Sequence, residues 1–310
     1  MRAVTQDSFG DPSVLHTVEL PKPTPLPSEV LVRVHASGVN PVDAMVRSGA
    51  FPMLGQPPFV LGWDISGVVE EAVPGVARFA VGDEVYGMPF FPRAGNGYAE
   101  YVAVPSRQLA RKPAAVDHVH AAALPLAGLT AWQALVDTAA VAAGDRVLIH
   151  AGGGGVGHLA VQIAKARGAH VLATASAAKR DFVLGLGADE VVDYRAVDIT
   201  RAVRDVDVVL DTVGGPVGRQ SIEVLRPGGL LVTIVDRTDM ALRAATIEAG
   251  RRFAGVTVEP DYAGLEQLAA LVDAGKLRPY VEHAVPLDDA AKAHELIESG
   301  RTQGKIVLEV

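Results

Sequence analysis

Near the middle of the chain, the segment HAGGGGVG that ends at Gly157 restricts the possible folds more than any other segment. It contains the pattern G-x-G-x-x-G as Gly152, Gly154 and Gly157, directly after a short apolar run, residues 146–150. Apolar residues with helical spacing follow over residues 155–167. Glycines in this arrangement permit a tight turn and bring backbone N–H groups at a helix start close to a pyrophosphate. The context predicts a dinucleotide-binding site, and the alternative is a glycine-rich loop that only reverses the chain.

Further strand-like segments follow the glycine turn and alternate with helical ones. They are residues 169–174, 207–210 and 229–235. This order predicts βαβ units in a doubly wound parallel sheet. The first third of the chain instead contains short alternating runs such as residues 30–35 and 98–104, which predict an antiparallel sheet or barrel. The expected fold class is α/β, with a β-rich part and a parallel-sheet part.

The length and charge of the chain restrict its domain count and its partners. A chain of 310 residues suits about two domains. Its 28 Lys and Arg residues against 36 Asp and Glu residues give a formal net charge of −8. Nucleic-acid-binding proteins usually present a basic patch, and this chain has no run of Lys and Arg, so we expect no nucleic acid partner.

No segment of the sequence predicts export or membrane insertion. Its first residues, MRAVTQD, lack the apolar core of a secretory signal. Its longest apolar stretch, residues 121–143, is interrupted by Pro125, Gly128 and Asp137. We therefore expect a soluble, cytoplasmic protein without a membrane contact.

The residues after the second strand of the parallel sheet indicate which dinucleotide binds. An acidic residue about 20 positions after the glycines would bind the ribose hydroxyls of NAD. Ser176 stands 19 residues beyond Gly157, and Lys179 and Arg180 follow it closely. A hydroxyl and two cations favour the 2′-phosphate of NADP(H), which an acid would repel. The alternative is that Lys179 and Arg180 are ordinary surface charges.

The whole chain resembles the zinc-free quinone oxidoreductase (zeta-crystallin-like) branch of the medium-chain dehydrogenase/reductase superfamily. The matching segments are GVNPVD at 38–43, RSG at 47–49, GDEVYG at 82–87, LAGLT at 126–130, AGGGGVG at 151–157, GADEVVDYR at 187–195 and GKIVL at 304–308. The resemblance implies a GroES-like catalytic domain, residues 1–121 and 259–310, and an inserted Rossmann NADP(H)-binding domain, residues 122–258. It further implies an active site in the cleft between these domains.

The zinc enzymes of the same superfamily use a cysteine and a His–Glu pair at the metal. Here Asn40 stands near the cysteine position, and Trp63 and Asp64 stand at the His–Glu position. The chain contains no cysteine, so disulfides, thiolate nucleophiles and zinc sites that need sulfur are excluded. We expect neither a bound metal nor zinc catalysis.

The coenzyme contacts expected from the motif and the resemblance fall on several strand ends. The pyrophosphate would lie on Gly152, Gly154, Gly155, Val156 and Gly157. Thr130 matches a position that contacts the nicotinamide end, and Tyr194 matches one that lies against the adenosine phosphate. Thr212, Val213 and Val235 are expected along the ribose and the nicotinamide. Each of these residues could instead be an ordinary loop or packing residue.

The expected acceptor side is formed by Asn40, Asp43, Met45, Phe51, Trp63 and Asp64. Asn40 and Asp64 are the candidate catalytic residues, although Asp64 could instead only hydrogen-bond backbone, and no obligatory general acid is identified. Members of the family commonly carry tyrosines where Met45 and Phe51 stand, so this pocket is expected to be more apolar and to lack two proton donors.

The residues and the resemblance together predict NADPH-dependent hydride transfer to a small electrophile, a quinone or an α,β-unsaturated carbonyl compound. Such an acceptor needs no metal to polarise it. One alternative is an enoyl-thioester reductase of the same superfamily. Another is an NADPH-binding sensor or structural protein without turnover.

A strand-like segment, RFAGVTV from Arg252 to Val258, closes the parallel-sheet part. An exposed sheet edge can pair with its symmetry mate. We expect a homodimer formed through this edge, unless the strand is covered within the chain.

Overall fold

The computed structural model describes all 310 residues, which form two compact units. The first unit contains Met1–Leu129, Glu259–Gly275 and Pro279–Val310, and the second contains Thr130–Val258 and Lys276–Arg278. No helix in either unit has the length and apolar character that crossing a bilayer requires.

Sixteen strands form three sheets. In chain order they are β1 (Arg2–Gln6), β2 (His16–Glu19), β3 (Glu29–Val39), β4 (Phe59–Val60), β5 (Asp64–Ala72), β6 (Glu84–Gly87), β7 (Tyr101–Pro105), β8 (Leu109–Arg111), β9 (Arg146–Ile149), β10 (His170–Ala175), β11 (Glu190–Asp193), β12 (Val206–Asp211), β13 (Leu225–Thr233), β14 (Arg252–Gly255), β15 (Val281–Pro286) and β16 (Lys305–Glu309).

Ten α-helices connect or cover these strands. They are α1 (Pro41–Ser48), α2 (His118–Ala122), α3 (Pro125–Trp132), α4 (Gly157–Ala166), α5 (Arg180–Gly185), α6 (Ile199–Ala202), α7 (Pro216–Val224), α8 (Met240–Glu248), α9 (Tyr262–Asp273) and α10 (Ala290–Glu298). Short 3₁₀ turns lie at Pro12–Val14, Ser106–Gln108, Ala177–Lys179 and Leu287–Asp289, and a π-helical segment, Gln133–Thr138, follows α3.

The first unit is built on a large, mainly antiparallel sheet, as the alternating runs predict. Its strand order is β15-β16-β3-β5-β6-β8, with β7 also paired to β3. The central strand β3 pairs antiparallel with β5 and with β16. A core of valines, leucine, isoleucine and phenylalanine lies on this sheet: Val30, Val32, Val34, Ile65, Val69, Phe79, Val85, Val102, Val104 and Leu109. A separate three-stranded sheet has the order β2-β1-β4.

The second unit contains a six-stranded parallel sheet of order β11-β10-β9-β12-β13-β14. This order confirms the predicted doubly wound sheet. The chain moves outward from β9 to one side and then returns to build the other side, so β9 and β12 are neighbours at the point where the strand order reverses. In such sheets ligands bind at the carboxyl ends of the strands beside this point.

Strand β14 lies at one edge of the parallel sheet and pairs only with β13. It ends at Gly255, three residues earlier than the strand-like segment in the sequence. The backbone N–H of Val256 still donates to the carbonyl oxygen of Thr233 at 2.9 Å. Pairing of this edge with a second copy stays a prediction.

Candidate functional site

The glycine turn joins β9 to α4 at the carboxyl end of the central strand. Its first residue, Ala151, has a positive φ of +49°. The N–H of Gly152 donates to the carbonyl oxygen of Thr174 on β10 at 2.9 Å, and the N–H of Gly154 donates back to that of Ala151 at 2.8 Å. The helix then starts at Gly157, two residues later than the apolar spacing predicts. The turn is therefore held against the carboxyl end of β10 and closed by its own hydrogen bond.

Two glycines of this turn, Gly152 and Gly157, have no room for a side chain, and Gly153 is closely packed against a lysine side chain. A Cβ at Gly157 would lie 2.1 Å from the carbonyl oxygen of Ala151, one at Gly152 would lie 2.8 Å from the Cβ of Ala173, and one at Gly153 would lie 3.0 Å from the Cδ of Lys179. The backbone N–H groups of residues 155–157 have no protein acceptor. A tight turn with unused donors at a helix start fits the pyrophosphate of a dinucleotide.

His150 immediately precedes the turn and ties the strand end to its surroundings. Its Nδ1 lies 3.2 Å from the hydroxyl of Thr174, and its Nε2 lies 3.0 Å from the hydroxyl of Ser221 on α7. Burial lowers the pKa of His150 to about 4, so the ring is neutral near pH 7. These contacts make His150 a structural support of the turn.

The residues predicted to bind the 2′-phosphate follow β10. Ser176 precedes a 3₁₀ turn of which Lys179 is the last residue, and the aliphatic chain of Lys179 packs against Gly153. The guanidinium of Arg180 donates to the carbonyl oxygen of Val191 on β11 at 2.6 Å. Part of its hydrogen-bonding capacity is therefore used within the sheet, and contact of Ser176, Lys179 or Arg180 with a phosphate stays a prediction.

The other predicted coenzyme residues also follow carboxyl ends of the parallel strands, apart from Thr130, which lies nearly buried in α3. Tyr194 comes after β11, Thr212 and Val213 after β12, and Val235 after β13. Three of these side chains are large, apolar and exposed: Tyr194 at 55%, Val213 at 48% and Val235 at 45%. Exposed apolar groups along this edge suit a ligand that covers them.

Sequence reasoning missed the residue that orders the loop after β12. The carboxylate of Asp211 accepts hydrogen bonds from the N–H groups of Val213 and Gly214, each at 2.9 Å. Gly214 has φ +80°, which glycine adopts readily. The signal was an aspartate at a strand end followed closely by two glycines, a pattern typical of a side-chain-capped turn.

In the first unit, the predicted catalytic residues belong to a buried polar cluster formed by Asn40, Asp43, Asp64 and Lys305. All four are at most 2% exposed. The side-chain amide of Asn40 donates to Asp64 Oδ2 at 2.8 Å, and Asp64 Oδ1 accepts from the backbone N–H of Leu126 at 2.6 Å. Lys305 lies 3.4 Å from Asp64 Oδ2 and also donates to Asn40 Oδ1. We refer to these four residues as the Lys305 cluster.

Asp43 caps the start of α1 and accepts backbone hydrogen bonds. It lies in the first turn of α1, where its carboxylate accepts from the backbone N–H of Asn40 at 2.7 Å and from that of Gly62 at 3.1 Å. Burial raises the pKa of Asp43 to about 7. Burial also raises the pKa of Asp64, although the nearby Lys305 ammonium opposes this. Two carboxyl groups and one ammonium therefore share the interior of the cluster.

Asp43 is expected to make stability fall as the pH rises. Because its pKa is about 7 in the folded chain and 3.8 ordinarily, the folded state binds more protons between these values. The contribution of Asp43 to the free energy of unfolding is complete below about pH 4 and is lost as the pH rises through 7. Between pH 5 and pH 8 the free energy of unfolding is expected to fall by about 2–3 kcal/mol for this reason. Urea unfolding of Asp43→Asn and of the wild type over this range measures the effect.

The quantity to follow is the free energy of unfolding of Asp43→Asn minus that of the wild type at each pH. In this difference the pH dependence of titratable groups that both proteins contain cancels. His150 and His294 are such groups. Burial lowers the pKa of both, so their contribution makes stability fall as the pH drops below about 6.5, which is opposite to the effect of Asp43. Relative to wild type, Asp43→Asn is expected to gain stability from pH 5 to pH 8. The exposed Asp289→Asn serves as the control, and a difference that is independent of pH would contradict the assignment.

The remaining predicted acceptor residues differ in exposure. Met45 is 47% exposed, Phe51 is half-buried, and Trp63 is fully buried. The indole N–H of Trp63 donates to the carbonyl oxygen of Arg93 at 2.7 Å, and its ring packs edge-on against Phe91. Contact of any of these side chains with an acceptor stays a prediction.

Comparison with known proteins places the chain among oxidoreductases. Residues 26–114 match the family described as alcohol dehydrogenase GroES-like domain, and residues 186–308 match the family described as zinc-binding dehydrogenase. The quinone oxidoreductase of Sus scrofa is 34% identical over 323 residues, which cover 99% of this chain and 97% of that protein. The mitochondrial NAD(P)H oxidoreductase RTN4IP1 of Homo sapiens is 34% identical over 327 residues, covering 92% and 82%.

Two solved structures share the whole fold. The quinone oxidoreductase of Coxiella burnetii has a TM-score of 0.95 at 39% identity and covers 100% of this chain and 99% of its own. The quinone oxidoreductase of Escherichia coli complexed with NADPH has a TM-score of 0.90 at 29% identity and covers 100% of both chains. Fold and site thus define a member of the medium-chain dehydrogenase/reductase superfamily. Within that superfamily, the chain belongs to the quinone oxidoreductase branch.

The residues at the expected metal position do not fit the zinc that one matching family's description implies. The indole of Trp63 offers no lone pair to a metal, and its N–H donates to the backbone carbonyl oxygen of Arg93. The ammonium of Lys305 already binds Asn40 and lies beside Asp64, where it would repel a divalent cation. Zinc sites of this kind need three protein ligands with nitrogen, sulfur or carboxylate donors. The Lys305 cluster does not supply them.

Proposed function

We propose that this protein is an NADPH-dependent oxidoreductase that transfers hydride to a quinone or an α,β-unsaturated carbonyl compound without zinc. The observation that carries the proposal is the glycine turn after β9, where a Cβ at Gly157 would collide with backbone and where the N–H groups of residues 155–157 have no protein acceptor. The relatives support the coenzyme class, since one is named an NAD(P)H oxidoreductase and one similar structure is complexed with NADPH.

In this proposal the second unit binds the coenzyme. The turn ending at Gly157 and the start of α4 hold the pyrophosphate, and Ser176 and Lys179 hold the 2′-phosphate. Thr212 and Val235 lie along the ribose and nicotinamide at the carboxyl ends of β12 and β13. When bound, the reduced nicotinamide supplies the hydride.

The first unit orients the acceptor. A quinone or enone is already electrophilic, so the protein's contribution is to position it, exclude water and donate a hydrogen bond to the oxygen that gains charge. The amide of Asn40 is the proposed donor, and Met45 and Phe51 provide apolar contact. Water protonates the product, because no side chain of the site is assigned as an obligatory acid.

A spectrophotometric assay of NADPH oxidation tests the proposal. Quinones, alkenals, enones and enoyl thioesters are supplied in turn, with and without a zinc chelator, and the zinc content of the purified protein is measured. We expect turnover with a quinone or an enone at a rate that the chelator does not change. Turnover of the thioester alone would indicate the enoyl-thioester reductase. NADPH binding without turnover would indicate a nucleotide-binding protein, and loss of activity on chelation would contradict the metal-free reaction.

A further inference from the structure

Lys305 is buried in the first unit, with its side chain only 3% exposed. It is the first residue of β16, and its ammonium donates to the carbonyl oxygen of Val39 at 2.9 Å and to Asn40 Oδ1. Asp64 Oδ2, at 3.4 Å, is the third oxygen within reach. An ammonium has three N–H donors and no acceptor, so these three oxygens satisfy it completely.

This ammonium determines how the Asn40 amide is oriented. Because lysine only donates, the carbonyl oxygen of Asn40 faces Lys305, and its Nδ2 then lies 2.8 Å from Asp64 Oδ2. The inverted amide would place N–H groups against the ammonium and an oxygen against the carboxylate. Both charged neighbours therefore favour the same orientation. One N–H of Asn40 takes no part in these contacts.

The partners of Asn40 are themselves held by backbone. Asp64 Oδ1 accepts from the N–H of Leu126, and Asp43 accepts from the N–H of Asn40. Gly38 permits this packing, since a Cβ there would lie 2.4 Å from the carbonyl oxygen of Ala122 and 2.7 Å from Asp64 Oδ2. The cluster has little freedom to rearrange while the ammonium is present.

We propose that Lys305 is a positioning residue, whose ammonium holds the Asn40 amide so that its remaining N–H serves as the donor to the acceptor's oxygen. The inference deepens the proposed function and rests on it. A fixed internal cation thereby lies among the residues that replace the zinc ligands, and it acts on the reaction only through Asn40. Loss of one preorganised donor of this kind lowers kcat by about 100-fold or more.

The first test compares Lys305→Gln with wild type in the NADPH assay. Glutamine is neutral and can accept as well as donate, so it permits the Asn40 amide to invert. We expect kcat to fall by about 100-fold while the Kd of NADPH, which the second unit binds, changes less than about twofold. Lys292→Gln, a change of an exposed lysine, is the matched control. Wild-type kcat in Lys305→Gln would overturn the proposal.

Two further variants test the proposal if Lys305→Gln does not fold. Asn40→Asp preserves an oxygen facing the ammonium but removes the amide N–H, so the same loss of kcat is expected. Lys305→Cys can be alkylated selectively with 2-bromoethylamine in the unfolded chain and then refolded, because the chain has no other cysteine. The thiolate displaces bromide and forms a C–S bond, which restores an ammonium at this position. Wild-type kcat in Asn40→Asp would contradict the proposal, as would no gain in kcat in a refolded protein whose mass shows complete alkylation.

A readout independent of turnover comes from the side-chain amides. The chain has two asparagines, Asn40 and Asn96, and Asn96 is exposed. With ¹⁵N-labelled asparagine, we expect the Asn40 side-chain signals to shift and to exchange faster in Lys305→Gln, while those of Asn96 stay unchanged. Unchanged Asn40 signals would overturn the role of Lys305. If wild type turns over no acceptor, the proposed function fails, and these signals still decide how Asn40 is held.

Discussion

Gly157→Ala is expected to weaken NADPH binding by about 100-fold or more. The new Cβ would lie 2.1 Å from the carbonyl oxygen of Ala151, 2.8 Å from its carbonyl carbon and 2.9 Å from the Cα of Gly152. All three are backbone atoms, so the turn itself must move. Each charge-assisted hydrogen bond to a phosphate contributes about 1.5–3 kcal/mol, and the loss of two accounts for this factor. Titration of NADPH by nucleotide fluorescence measures the Kd.

Gly185→Ala is the matched control for this prediction. It lies at the end of α5 in the same unit, and a Cβ there meets no atom within 4 Å. We expect this variant to bind NADPH with wild-type affinity. Thermal unfolding shows whether each variant is folded. A folded Gly157→Ala protein that binds NADPH as tightly as Gly185→Ala would show that the pyrophosphate does not lie on this turn.

The parallel-sheet unit could be predicted from local sequence because its determinants are contiguous. Each inner strand is a short apolar run, and the glycine turn follows the first of them directly. The residues at the carboxyl ends of these strands, such as Thr212 and Val235, were predicted from the same regularity. Their positions follow from the topology of the sheet and need no knowledge of side-chain contacts.

The Lys305 cluster could be predicted only in part, because its members are far apart in the sequence. Asn40 and Asp64 were recognised as candidate catalytic residues, but their partner Lys305 lies 265 residues beyond Asn40. Lys305 belongs to a segment, GKIVL, that contributed to the resemblance without any assigned role. Pairing of β16 with β3 brings it there, and that pairing depends on the assembled sheet.

Asp43 shows why local spacing can still be informative. It was predicted as an acceptor-pocket residue, yet it is completely buried and accepts from the N–H of Asn40. An asparagine at a helix start, a proline at the first helical position and an acid three residues after the asparagine are typical of helix N-termini. This signal was present in Asn40, Pro41 and Asp43, and it indicates a structural role that does not depend on any ligand.

Lys179→Glu is expected to reverse the coenzyme preference by raising the KM for NADPH about 100-fold more than the KM for NADH. The aliphatic chain of Lys179 packs on Gly153, which places this residue beside the glycine turn. A glutamate there removes an attraction of about 1.5–3 kcal/mol and adds repulsion of the 2′-phosphate. NADH has no such phosphate, so its KM is expected to change little. Initial rates with both coenzymes at saturating acceptor measure the two KM values.

Lys276→Glu separates this local effect from the change in overall charge. It lies in the same unit, is exposed, and produces the same change in net charge. We expect its ratio of KM values to stay within about twofold of wild type, since exposed charges at a distance are screened by salt. Lys179→Gln is expected to lie between wild type and Lys179→Glu, because it loses the attraction without adding repulsion. Equal changes of both KM values in Lys179→Glu would show that this lysine does not distinguish the two coenzymes, and the assignment of NADPH would then rest on Ser176 and Arg180.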